Sequence, residues 1–129
     1  MNISDVAKQT GLTAKAIRFY EQRGLIAPPH RADNGYRDYN AAQVAELVLI
    51  KRAKLIGFSL DECQALVALS RDPERSSADV KQHALEKLAE IDQRIRELKA
   101  MKQTLTDLTQ QCPGDSSPCC PILKALSTE

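Results

Sequence analysis

VKQHALEKLAEIDQRIRELKAMKQTLTDLTQQ, residues 80–111, is the stretch that decides the fold. Within it Leu88, Ile91, Ile95, Leu98 and Leu105 recur at helical spacing with Lys and Glu between them, which is the pattern of one long amphipathic helix. At about 1.5 Å per residue such a helix is about 48 Å long, more than a chain of this size buries on its own. Its apolar stripe is therefore expected to face a second copy of the chain, in antiparallel or parallel pairing, rather than to lie on its own domain. Lys81 and Lys102 fall where an ideal seam is apolar, and charges there set register at some cost in stability.

Outward from this helix the chain divides by charge. Residues 1–60 carry nine Lys/Arg against five Asp/Glu, and the remainder nine against twelve, so the first half is the anion-binding half. The 43% apolar and 27% charged content belongs to a globular protein, and the 4% aromatic content disfavours binding of single strands by stacking. The richest apolar run, Val44 to Ile50, is too short to span a bilayer, and no signal segment precedes it, so a cytoplasmic protein without membrane contact is expected. In that reducing compartment the four cysteines are expected to be buried, metal-binding or redox-active.

Before the long helix the punctuation is dense. Ser4 is the expected cap of a first helix, Gly11 supplies a turn, and Thr13 caps a second helix from Ala14 to about Arg23. This is a helix-turn-helix pattern, with Ile17 and either Tyr20 or Glu21 on its inner face and Lys15 and Arg18 toward solvent. A second helix of this kind enters the major groove by its N-terminal half, where a guanidinium donates two hydrogen bonds to guanine. Pro28-Pro29 enforces an extended link to residues 31–39, where Asn34-Gly35 predicts a type I′ hairpin. Arg31, Tyr36, Arg37 and Tyr39 on that small wing are candidates for phosphate and sugar contacts, although Tyr36 and Tyr39 also suit packing beneath it.

Asn40 caps a third helix whose Val44, Leu47, Val48 and Ile50 to Ile56 are read as its buried face, ended by Gly57. Ser59 caps a fourth, with Leu60, Cys63, Leu66, Val67 and Leu69 at helical spacing; Cys63 there reads as a small core residue. Ser76-Ser77-Ala78-Asp79 is a capping signature for the long helix. The expected organisation is mainly α: a winged helix-turn-helix domain with connecting helices over 1–69, a linker over 70–79, a dimerisation helix over 80–111, and a cysteine loop with a short terminal helix over 112–129.

At Asp5-Val6-Ala7, Gly11-Leu12-Thr13, Ile17-Arg18-Phe19-Tyr20-Glu21, Gly24-Leu25, Asn34-Gly35-Tyr36-Arg37 and Gly57-Phe58-Ser59-Leu60 the chain resembles the MerR family of transcriptional regulators. The resemblance implies a winged helix-turn-helix, an antiparallel coiled-coil homodimer on double-stranded promoter DNA, and activation of RNA polymerase by distortion of that DNA. It carries the DNA-contact role to Arg18, Tyr20, Tyr36 and Arg37, and with them to Lys15 and Arg31. The tail Cys112-Pro113-Gly114-Asp115 with Cys120-Pro121-Ile122 is similar to that of copper-responsive members of the family. This register implies Cys112 and Cys120 as metal ligands, while Cys119 beside Cys120 remains a chemical alternative. Ser77 is implied as a selectivity residue, contributed by the other protomer where divalent-metal relatives carry a cysteine.

Two soft thiolates with no third ligand suit a monovalent soft ion, whereas Zn²⁺ seeks four ligands. Linear Cu(I), or Ag(I) or Au(I), is the expected occupant, one per loop. His30 and His83 read as surface residues. A thiol redox sensor on the same fold and a soluble metal carrier are the competing functions. No nucleophile, base and orienting group occur together, so no enzyme is expected.

Overall fold

The computed structural model describes residues 1–116, 118 and 120–127. Among them are helices α1 (Ile3–Thr10), α2 (Ala14–Gln22), α3 (Ala41–Leu55), α4 (Leu60–Arg71), α5 (Ser77–Gln111) and α6 (Pro121–Ser127), with strands β1 (His30–Arg31) and β2 (Arg37–Asp38) between α2 and α3. The chain forms two compact units, Met1–Lys87 and Leu88–Glu129, and α5 contributes to both. No helix of the described residues is long and apolar enough to cross a membrane.

The first unit is built around Val6, Ile17, Leu47, Ile50, Cys63 and Val67, one or two from each of four helices, with Leu25, Ile26 and Tyr39 added from the connections. Burying each large aliphatic side chain of this set contributes about 1.5–3 kcal/mol. Caps set where the helices begin. Asn2 rather than Ser4 opens α1: its Oδ1 accepts from the Asp5 N–H at 2.8 Å, which leaves Ser4 inside the first turn. Gly11 closes α1 with φ 75°, a left-handed conformation that strains any residue with a Cβ. Lys51 reaches over that corner and donates to the Thr10 carbonyl at 3.0 Å, where a Cβ on Gly11 would collide with its Nζ.

Asn40 and Gln43 form a reciprocal capping box at the start of α3, and Gln43 Nε2 donates to the Ala27 carbonyl at 3.1 Å, joining this helix to the segment after α2. The buried face of α3 is Val44, Leu47, Ile50 and Ala53, and it stops there. Leu55 and Ile56, expected to continue it, are 76% and 64% exposed. The helical period turns both away from Ala53, and Phe58 takes the next core position, its N–H donating to the Ala53 carbonyl at 3.0 Å. Ser59 and Glu62 repeat the capping box on α4, and Arg71 at its end grips Glu46 of α3 through two hydrogen bonds of 2.8 and 2.6 Å.

Helix α5 begins at Ser77, three residues before the expected Val80. The residue that caps it is Ser76, whose Oγ accepts from the Asp79 N–H at 3.2 Å; the Ser77 side chain is left exposed at the first helical position. Near the end of the first unit Lys87 is buried, with its Nζ 2.9 Å from Glu62 Oε1 and 5.6 Å from the Phe58 ring centroid.

The hairpin departs from the expected turn. Type I′ needs positive φ at both central residues, yet Gly35 is the hairpin's one positive-φ residue, at 83°. Beyond the paired residues Arg31↔Arg37, Ala32 and Tyr36 are joined by a 2.8 Å bond from the Ala32 N–H to the Tyr36 carbonyl. The Gly35 N–H donates to the Ala32 carbonyl at 2.8 Å, so the link is a three-residue loop ending on a left-handed glycine. Asn34 Oδ1 accepts from the Tyr36 N–H at 3.1 Å, an Asx turn that keeps Asn34 at negative φ.

Candidate nucleic-acid interface and cysteine site

Thr13 caps α2 by accepting from the Ala16 N–H at 3.0 Å, and Ile17 anchors the inner face. Lys15 and Arg18 therefore stand exposed on the outer face, as expected. Tyr20 does not join them. It is 6% exposed and packs in the core, where burial first and the neighbouring Cys63 second raise its pKa. Its spacing of three from Ile17 puts both on one face, so the assignment of Tyr20 to the DNA surface is corrected to a packing role.

Between α2 and the hairpin lies a groove of about 440 Å³ lined by Arg18, Glu21, Gln22, Pro28, Pro29, Arg31 and Arg37. Three of the expected DNA contacts thus meet at one surface, while Lys15 and the exposed Tyr36 lie outside the groove lining. Arg31 Nη1 donates to the Gly35 carbonyl at 2.9 Å, bracing the loop. Arg37 Nε lies 3.2 Å from Glu21 Oε2, and Tyr39 sits beneath with 2% of its surface exposed. Sequence reasoning missed Glu21 and Gln22 as groove residues. Gln22 was accessible through its spacing of four from Arg18, whereas the pairing of Glu21 with Arg37 has no periodic signal.

In the second unit, Cys112 follows α5 directly, its N–H donating to the Leu108 carbonyl at 3.2 Å. Cys120 stands immediately before α6, and its Sγ accepts from the Leu123 N–H at 3.5 Å. That is the position of an N-cap, where the first N–H groups of the helix have no partner within it. Both sulfurs are free thiols and half-buried. A concavity of about 720 Å³ is lined by Leu108, Gln111, Pro118, Cys120, Pro121, Lys124 and Ala125; Cys112 is not among its lining residues. The alternative ligand Cys119 lies outside the described residues. Cys63, in contrast, is 1% exposed and its thiol is pushed up by burial, which makes it an inert core residue.

Among the described residues no three His, Cys, Asp or Glu side chains gather as a metal site. His30 is exposed on β1 and His83 is half-buried on α5. The described sulfur donors of the tail are Cys112 and Cys120, and a soft ion of low coordination number would fit a pair of thiols.

A basic helix-turn-helix with a hairpin closing an arginine-lined groove defines a winged helix-turn-helix DNA-binding protein. The chain belongs to the MerR family: residues 1–69 match the model for the MerR HTH family regulatory protein, and residues 44–108 match that for MerR, DNA binding. It is accordingly a transcriptional regulator and not an enzyme. It is 56% identical to the HTH-type transcriptional regulator CueR of Salmonella typhimurium over 98% of this chain and 92% of that protein. Its fold is similar to that of the lead(II)-bound transcription regulator PbrR691 of Ralstonia metallidurans CH34, with TM-score 0.86 at 29% identity over 98% of this chain and 99% of the other. It is also similar to the mercury(II)-bound MerR of Bacillus megaterium MB1, with TM-score 0.75 at 31% identity over 95% of both chains.

Proposed function

We propose that this protein binds promoter DNA as a cytoplasmic homodimer and, on taking up Cu(I), or Ag(I) or Au(I), at Cys112 and Cys120, alters the twist and bend of the promoter so that RNA polymerase can start transcription. The observation that carries the metal assignment is Cys120 at the head of α6, where its sulfur accepts the Leu123 N–H. Similarity to regulators named CueR supports the same reading. One soft monovalent ion held by the Cys112 and Cys120 thiolates would leave a net charge near −1. Backbone N–H groups at the start of α6 offset part of that charge, and the neighbouring Pro121 gives up a donor only where the helix has none to use.

Ser77 serves in this reading as the neutral position that denies a divalent ion a third thiolate. Ser76 rather than Ser77 provides the helix cap, and the Ser77 side chain stands exposed at the first helical position. At the other end of the chain, Lys15, Arg18, Arg31, Tyr36 and Arg37 meet the duplex. Arg18 reads bases, and the wing residues hold phosphate.

Anaerobic in vitro transcription with buffered Cu(I) tests the assignment. Cys112→Ser and Cys120→Ser are expected to abolish metal-dependent transcription while leaving promoter affinity near that of the parent. A response to oxidant without metal, lost in the same two variants, would instead identify a disulfide switch. Silence in Cys119→Ser alone would overturn the choice of Cys120.

A further inference from the structure

We infer that Glu21 is a positioning residue for DNA recognition: it clamps Arg37 of the wing to the recognition helix, so that helix and wing meet the duplex as one rigid surface. The inference rests on the DNA-binding reading above and adds a role to the one acidic side chain in the groove. A carboxylate among three arginines in a groove that faces DNA is unfavourable unless it is paired and turned inward. Glu21 meets both conditions, with a side chain 9% exposed and Oε2 3.2 Å from Arg37 Nε.

The wing needs such a clamp. Its strands are two residues each, and a hairpin that small does not hold its shape without outside contacts. Tyr39 anchors its exit: the ring is buried, and its N–H donates to the Met1 carbonyl at 2.8 Å. Glu21 Oε2 and the Tyr39 hydroxyl are both buried without a hydrogen bond of strict geometry, but they lie close enough to interact, so the Tyr39 hydroxyl and the ion pair to Arg37 together compensate Glu21. The phenol stays protonated beside it, its pKa pushed up to about 12 by burial first and by the Glu21 charge second. Arg37 pairs through Nε and remains 31% exposed, so its terminal N–H groups stay available for a phosphate.

The sign of one substitution distinguishes a clamp from a bystander. Glu21→Gln removes a negative charge from a DNA-facing groove, so simple electrostatics predicts tighter binding. A clamp predicts weaker binding, because Arg37 is no longer aimed. Duplexes selected by the parent protein from a random pool serve as probe, with affinity measured by anisotropy at several salt concentrations. Glu21→Gln and Arg37→Ala are each expected to weaken binding roughly tenfold and to lower the salt slope by about one per protomer. The double variant should bind no more weakly than Arg37→Ala alone, since Glu21 acts through Arg37.

Tighter binding by Glu21→Gln, or additive losses in the double variant, would overturn the clamp. The parent protein supplies an independent readout: in its NMR relaxation the Arg37 side chain should be nearly as ordered as the backbone, and a freely mobile Arg37 side chain overturns the clamp however the variants fold. A parent that selects no duplex defeats the DNA-binding reading itself, and the Arg37 signal then still decides whether the pair exists.

Discussion

Arg18 owes its position to two neighbours. Ile17 is buried completely and fixes the rotation of α2, and the next residue along is thereby turned to solvent at the lip of the groove. A guanidinium there can make a bidentate contact with guanine, whereas Arg37, held at the wing, is placed for the backbone. Arg18→Ala is therefore expected to weaken operator binding by about 1–3 kcal/mol and random duplex much less, as read by competition anisotropy. Equal losses on both would assign Arg18 to phosphate. The arginines were legible in the sequence because charge, helix period and a turn signal each act locally. The inward turn of Tyr20 was legible from the same period, through its spacing from Ile17, and the family motif overrode it. Glu21 was legible only as an alternative for the inner face, and its pairing not at all: the partner lies sixteen residues away across a turn, and only the folded chain brings a buried carboxylate to that guanidinium.

Helices α3 and α4 show how far short signals reach. Their start sites follow from Asn40 and Ser59, because a cap and its return partner lie within four residues. Their buried faces are harder to delimit, as Leu55 and Ile56 show: apolar composition continued past the point where the helix had turned from the core. The hairpin type failed for a related reason, since Asn-Gly also fits a loop in which only the glycine is left-handed. Glu62 joins these elements to α5, its Oε1 accepting from the Ser59 N–H at 2.8 Å and lying 2.9 Å from Lys87 Nζ. The Ser59 backbone contact first and Lys87 second hold its carboxyl well below the usual range, at about 2. A carboxyl depressed in the folded state stabilises the protein above its unfolded pKa, and that contribution is lost as pH falls toward the folded value. The stability of the parent against urea should therefore fall between about pH 5 and pH 2, and Glu62→Gln should flatten the part of that slope owed to this group. An unchanged slope in Glu62→Gln would show that the cap and the lysine contact carry no net linkage.

At the scale of the whole molecule, the long helix carries an apolar stripe that the described chain leaves exposed. Along α5, Leu88, Ile91, Ile95, Leu98, Met101 and Leu105 remain exposed, and Leu98, Met101, Lys102 and Leu105 line an open apolar groove of about 490 Å³. A stripe of this length in water disfavours a lone chain, and a second copy offers the complementary stripe with two-fold symmetry. Two-fold symmetry also gives two helix-turn-helix units for the half-sites of a palindromic operator. Sedimentation equilibrium of the parent is expected to give a dimer at about 10 µM, with a thermal midpoint that rises with protein concentration as mass action requires. Ile95→Lys places a charge in the middle of the stripe, so it should sediment as a monomer and lose the concentration dependence. Its DNA-binding unit keeps its own core, because Ile95 lies outside Met1–Lys87. Operator affinity should nevertheless fall steeply, each half-site being bound without the gain of a linked neighbour. If Ile95→Lys stays dimeric, the seam does not run through this stripe; if it becomes monomeric and still binds the full operator as tightly as the parent, pairing through α5 is not what joins the two readers on DNA.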